Sequence, residues 1–317
     1  LGSLFTYPKY KNRIVAIVTA TILFAFSTIP VTAQDTISFF QPADQYQIKR
    51  GRIAGYGIGG AYVLSMTGLY TLWYSDYPLG NFHTFNDNEE WLQVDKAGHL
   101  GSAYYLGKWS IDMMKWTGME KKKAIWKGAA VSWAFQSTIE IFDGLSDQWG
   151  FSTGDMIANT TGTLLVMGQE WMWDEQRAKV KFSFHTTKYA SYRPDQLGST
   201  FTEKLFKDYN GQTYWLSVNI RSFLHKESKF PAWLNIAGGY GAEGMTGARE
   251  NILIDSQLQP FERYRQFYIA PDIELSKIKT NNPVLKTLFS AFGFIKFPAP
   301  AIEFGEGGKI KMHAIYF

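Results

Sequence analysis

Three pairs of polar residues stand out for chemistry. Asp95 and His99 are four apart, Glu140 and Asp143 three apart, and Asp155 and Asn159 four apart. On helices, each spacing sets its pair on one face. Carboxylates and an imidazole can hold a divalent ion or exchange protons in acid–base catalysis. Their flanking sequence is apolar, and an ionisable group in apolar surroundings needs a partner. The spacing matches neither H-E-x-x-H nor an Asp-rich calcium loop. Ser137 and Ser146 have no supporting pattern for a nucleophile.

Each residue also has a structural role open to it. Asp95 fits the N-cap of a helix. Ser152-Thr153-Gly154-Asp155 reads as a capping box with Asp in the Glu position. His99 fits a hydrogen-bonded core histidine, and Asn159 a residue that fixes helix packing. Asp143 precedes Gly144, a C′ glycine by type, so its carboxylate would face the negative end of a helix dipole at a cost of up to ~1 kcal/mol. The weighing favours a structural polar network over ion or head-group binding, and places catalysis last. A divalent metal is therefore considered and not favoured, and enzymatic activity stays undecided.

These groups must be positioned by helices. Lys96–Trp116 reads as amphipathic, with Lys108, Asp112 and Lys115 as a solvated stripe. Ala124–Phe142 and Asp155–Trp171 carry charge-free runs too short to cross a bilayer. Ile53–Tyr74 has no charge, carries Gly55 and Gly59 at a spacing that admits a second helix, and ends in Tyr70, Trp73 and Tyr74. It is the best transmembrane candidate, with a buried core helix as the alternative. Beyond residue 178, Leu216, Val218 and Ile220 alternate with Ser217, Asn219 and Arg221, and similar half-buried strands are expected at 233–240, 264–275, 299–304 and 309–317. Gly238-Gly239-Tyr240-Gly241 suggests a bulge or turn. Pro283–Phe294 reads as a short amphipathic helix. The strands are too few for a self-contained barrel.

The 317 residues are 45% hydrophobic and 17% aromatic, which excludes global disorder. No cysteine is present, which excludes disulfides, thiol catalysis, Cys-ligated zinc and lipid attachment at a Cys. Lys9, Lys11 and Arg13 precede the apolar run Ile14–Ile29, and small residues lead to Ala33, as in a signal peptide cut after that residue. Its removal leaves the charges nearly balanced, with no basic stripe for nucleic acid.

The motifs Asp95-Lys96-Ala97-Gly98-His99, Glu140-Ile141-Phe142-Asp143-Gly144, Trp149-Gly150-Phe151-Ser152 and Gly154-Asp155-Met156-Ile157-Ala158-Asn159 with Gly162 resemble the YfiM-like family of uncharacterised envelope proteins, described as predicted lipoproteins. Their order is more distantly similar to VanZ-like membrane proteins. The likeness covers roughly 85–175, and Lys207–Trp215 also looks like the family's longer members. It implies that Asp95, His99, Glu140, Asp143, Asp155 and Asn159 share one site, and it is silent on activity. The absence of Cys departs from the lipoprotein pattern. The motifs of phosphatidic-acid phosphatases are missing.

The expectation is an α+β protein: a signal peptide over 1–33, a membrane-associated helical bundle over 34–177, and a β-rich part over 178–317 with antiparallel strands and no complete barrel. It would sit in the cell envelope, on the outer-membrane or periplasmic side, with membrane lipid and other envelope proteins as partners. An accessory role in envelope or outer-membrane maintenance comes first. The alternative is a head-group or divalent-ion binder, extending to a hydrolase, that uses the acidic and His cluster.

Overall fold

A computed structural model describes residues 39–75, 77–251, 253–254, 257–258 and 261–317. The leader expected over 1–33 lies outside them. The first long helix, α1, spans Ile48–Leu69 and runs on as a π-helical turn, Tyr70–Tyr74. Among the described residues no helix is long and apolar enough to cross a membrane. The transmembrane reading of Ile53–Tyr74 is thus corrected. Its five glycines and its Ser, Thr and Tyr hydroxyls dilute a stretch that merely lacks charge. The close helix contact expected at Gly55 and Gly59 is not made either, because a Cβ at either position would meet open space.

Three helices follow: α2 over Val94–Trp116, α3 over Lys121–Leu145 and α4 over Thr153–Trp173. Small residues set their crossings. A Cβ at Gly128 of α3 would lie 2.5 Å from the Ile111 backbone of α2, and one at Gly162 of α4 would lie 2.2 Å from the Leu100 carbonyl. At these points the helices touch backbone to backbone, which brings the polar faces of α2, α3 and α4 within side-chain reach of one another. The core at this contact is Tyr104, Tyr105, Ile111, Ile125 and Val166, and it continues onto Val180 of the first strand.

The expected solvated stripe on α2 is solvated only in part. Lys108 is buried and donates to Asp112 at 2.6 Å and to Ser290 at 2.8 Å, while Lys115 pairs with Glu170 of α4 at 2.5 Å. Ser290 lies on a later helix, which covers this face.

The C-terminal half is a six-stranded open antiparallel sheet in the order β1-β2-β3-β6-β7-β8. Its strands are β1 Ala178–Phe184, β2 Gln212–Val218, β3 Leu234–Glu243, β6 Tyr264–Ile273, β7 Ala299–Gly305 and β8 Ile310–Tyr316. Strands β4 (Leu253–Ile254) and β5 (Gln257–Leu258) form a separate small hairpin. Short helices α5 (Pro194–Leu197) and α6 (Phe201–Lys207) precede β2, and α7 (Pro283–Ala291) precedes β7. The fold is α+β without a closed barrel.

Two local expectations are corrected. The glycines at 238, 239 and 241 lie inside an unbroken β3 rather than at a bulge; Gly239 leaves room for the Trp215 ring, which a Cβ would approach to 2.7 Å. Ile220 belongs to a short 3-10 turn that follows β2.

Candidate functional site

The chain enters α2 through a rare backbone path. Trp91, Leu92 and Gln93 have φ of 47°, 50° and 62°, three successive residues in the left-handed region. The turn is clamped from the sheet side. The Trp91 N–H donates to the Ala248 carbonyl at 2.7 Å, the Tyr240 hydroxyl to the Leu92 carbonyl, and the Arg265 guanidinium to Gln93 Oε1 at 2.7 Å. Asp95 therefore sits inside the first helical turn and is not the N-cap expected of it; Gln93 holds that position and makes no side-chain cap.

From this turn α2 delivers Asp95, Lys96 and His99. The Lys96 ammonium lies 2.7 Å from Asp87, 3.0 Å from Asp95 and 2.8 Å from Asp155. Three carboxylates from a loop, α2 and α4 thus converge on one fixed cation. His99 faces the next group: its Nδ1 is 3.2 Å from Asn159 Oδ1 and 3.5 Å from Glu140 Oε1, and its Nε2 is 3.8 Å from Asp155 Oδ1. Asn159 Nδ2 donates to the same Glu140 oxygen at 3.4 Å. The Gln136 amide donates to Ser102 at 2.5 Å and to the His99 carbonyl at 3.5 Å, tying α3 to α2 one turn away.

The capping box is half made. Ser152 is the N-cap of α4, and its hydroxyl accepts from the Asp155 N–H at 3.0 Å. The Ser152 N–H, however, donates to Glu140 Oε2 at 3.3 Å. Glu140, from another helix, thus takes the place expected of the Asp155 carboxylate and leaves that group to the cluster. Asp143 lies in the last turn of α3, one turn from Glu140, and accepts the Tyr74 hydroxyl at 2.7 Å. Gly144 is helical and buried rather than a left-handed C′ residue, and a Cβ there would strike Phe82. The structure brings Asp95, His99, Glu140, Asp155 and Asn159 together and sets Asp143 beside them on its own partner.

Burial and crowding set the protonation. Glu140 is fully buried, and burial raises its pKa; Asp155 and Asp143 add to the rise and His99 opposes it, leaving about 8. Burial also lifts Asp143 to about 6 against the Tyr74 hydrogen bond, and Asp155 to about 6 against His99 and Lys96. Burial pulls the imidazole of His99 down, but Asp155, Glu140, Asp95 and Asp143 carry it above its ordinary value. Asp87 is held low despite burial by hydrogen bonds from Asp155, Lys96 and Ser152.

Two triads have donor atoms within 4.8 Å of one another, Asp87/Asp95/Asp155 and His99/Glu140/Asp155. Lys96 already serves the first. The second has no fixed cation of its own. Asp155 Oδ1, which the triads share, is buried and close to Lys96 but not aligned for a hydrogen bond, and Asp95 Oδ1 is also buried without one.

Sequence reasoning missed Asp87, Lys96 and Tyr74, and it read Ser152 as a cap without its bond to Asp87. Lys96 stands inside the Asp95–His99 run and could have been read as the counter-ion. Ser152 is the centre of Gly150-Phe151-Ser152-Thr153-Gly154, a G-x-S-x-G run that draws attention to it. The fold uses this serine as a cap: its buried hydroxyl donates to Asp87 at 2.6 Å. Asp87 and Tyr74 come from irregular or distant segments, where no spacing signals them.

Comparison with curated proteins and with solved structures finds no match. A family model described as "Predicted periplasmic lipoprotein (DUF2279)" matches residues 83–167. That stretch runs from the loop carrying Asp87 to the middle of α4 and contains every residue of the two triads. The sequence lacks the cysteine that a lipoprotein's lipid would require. Through the part that builds the cluster, the chain is thus similar to an uncharacterised family of periplasmic-side envelope proteins.

Proposed function

We propose that this is an exported envelope protein with an accessory role in outer-membrane maintenance, of the YfiM-like kind and more distantly VanZ-like, and that its helical part works by holding a divalent cation. The ligands would be His99, Glu140 and Asp155, with Asn159 orienting His99 and Glu140 from behind. The observation that carries the reading is that one donor atom each of His99, Glu140 and Asp155, from three helices, lies within 4.8 Å of the other two. Ligands about 2.1 Å from one ion stand roughly 3–4 Å apart, so the three side chains would draw in by about 1 Å on binding. A mixed nitrogen and oxygen set suits zinc, manganese or ferrous iron better than calcium. Such an ion would supply a polarised water or a grip on an anionic head group.

The test is metal analysis of the purified full chain after equilibration with zinc or manganese and desalting. One ion per chain is expected, lost in His99→Ala and Glu140→Gln and kept in Asp112→Asn. A folded protein that takes up no stoichiometric ion would overturn the reading and return the cluster to a protonated structural network.

A further inference from the structure

The sheet is inside out. In an antiparallel sheet with one face in water, the apolar side chains turn to the core and the polar ones to solvent. Here the buried face of the strands carries Lys181, Ser217, Asn235, Asp272 and Glu303 around a small core of Trp215, Tyr268 and three alanines. These groups pair among themselves: Lys181 with Asp272 at 2.6 Å, Ser217 with Asp272 at 2.6 Å, and Gln266 with Glu303 at 3.1 Å. The opposite face is apolar. Strand register sets Phe267 beside Phe304 and Phe304 beside Ile310, then Ile269 beside Ile302 and Ile302 beside Met312. Helix α2 and the turn before it cover this face over β1, β2 and the C-terminal end of β3, where Gly101 lies against Val180 and Tyr214 and Val94 packs with Ala242. Over the N-terminal part of β3 and over β6, β7 and β8 no described residue covers it: Ile236, Phe267 and Ile269 are about half exposed (47%, 51% and 48%) and Met312 is 80% exposed.

We infer that this bare face seats in the acyl chains of one leaflet of a lipid bilayer. Three features select lipid over a protein partner. Protein interfaces carry a hydrogen bond for every 100–200 Å², yet the rows from Phe267 to Met312 offer no side-chain donor or acceptor. The neighbouring Tyr240 hydroxyl is already spent on Leu92. The face is also bounded as a lipid-facing band is, by the exposed Trp233 at one end and by the Arg265–Glu306 pair at the other. Its depth fits as well. From Phe267 to Ile273 the outward apolar positions extend about 20 Å along the strand, or roughly 15 Å once tilted, which is half the hydrocarbon thickness. A full crossing is disfavoured by the free edge of β8, whose unpaired backbone groups cannot be satisfied in hydrocarbon.

Because the chain has no cysteine, single-Cys variants give an unambiguous probe. Ile269→Cys, Met312→Cys and, as a control on a polar loop, Lys226→Cys would each carry an environment-sensitive fluorophore and be mixed as full chain with phosphatidylcholine vesicles. A blue shift is expected at 269 and 312, with quenching by nitroxides on the acyl chains at least threefold stronger than at 226. Phe267→Asp should lower vesicle co-sedimentation at least tenfold; its melting in mild detergent separates that loss from misfolding. Equal quenching at all three positions would overturn the inference. So would a blue shift at 269 and 312 that needs no lipid and accompanies a doubled hydrodynamic mass, since a second copy of the chain would then be the cover.

Discussion

Among the described residues, one large cluster of buried ionic groups lies in the sheet and another between the helices. In the sheet, Lys179, Lys181 and Lys296 meet Asp272 and Glu274, with Lys179 2.6 Å from Glu274 and Lys296 3.8 Å from Asp272. Burial alone would raise Glu274, but Lys179 and Lys181 hold it below its ordinary value, so the pair stays ionised. Between the helices, Asp87, Asp95, Glu140, Asp143 and Asp155 meet, among the described residues, the two basic side chains of Lys96 and His99. There burial wins, and Glu140 rises to about 8. A cluster that carries its own counter-ions is finished when the chain folds. One with more acids than cations must take up protons or bind something positive.

The largest expected effect separates the two by pH. Glu140 titrates near 4.5 in the unfolded chain and near 8 in the folded one. Between those values the folded state holds a proton that the unfolded state has released, so stability falls as pH rises through the window. Glu140 alone would lose about 4–5 kcal/mol, with Asp143 and Asp155 adding to the loss below pH 6. Melting temperatures of the metal-free chain from pH 5 to 8 should show the decline, and saturating zinc or manganese should flatten it. A flat metal-free profile would erase the contrast between the clusters.

The next effect lies in the sheet. Lys181→Met leaves the buried Asp272 carboxylate without its closest cation and should cost about 3–5 kcal/mol in a denaturant melt. A loss under 1 kcal/mol would mean that Lys296 suffices and that the sheet cluster is no tighter than the helical one. Ser152→Ala removes the cap of α4 and a hydrogen bond to Asp87, for about 1–2 kcal/mol. The smallest change is expected where the charge is least wanted. Glu140→Gln imitates the protonated acid and should leave stability at pH 5, where little proton release separates the two states, within about 1 kcal/mol of the parent, while abolishing any bound cation. A large loss of stability would instead give Glu140 a structural role like that of Asp272.

The long helices were legible because charge-free runs and small-residue spacing mark them, and the strands because their residues alternate. Alternation gives the period but not the direction. Leu216 and Val218 were read as the half-buried side of their strand; in the fold Ser217 is buried and Leu216 exposed. The same ambiguity hid β1, whose Lys179 and Lys181 point inward although lysine is rarely buried without a partner. In the cluster, residues on regular helices could be placed by i, i+4 logic, whereas Asp87 and Tyr74 arrive through tertiary packing. Lys96 is next in sequence to Asp95, and adjacent helical residues point apart. Its long side chain reaches back across that gap.

The left-handed turn at Trp91–Gln93 bears on how the molecule can be cut. Three such residues cost about 3–6 kcal/mol in an unsupported chain, and here Tyr240, Ala248 and Arg265 hold them in place. All three clamps lie beyond residue 167, outside the stretch that matches the family model. Excised at those bounds, the segment would relax at its first helical turn and carry Asp95, Lys96 and His99 out of register with Glu140 and Asp155. The shared stretch is therefore not a transplantable cassette: grafted onto another scaffold, it would keep its residues and lose their geometry unless the strands that grip the turn travelled with it.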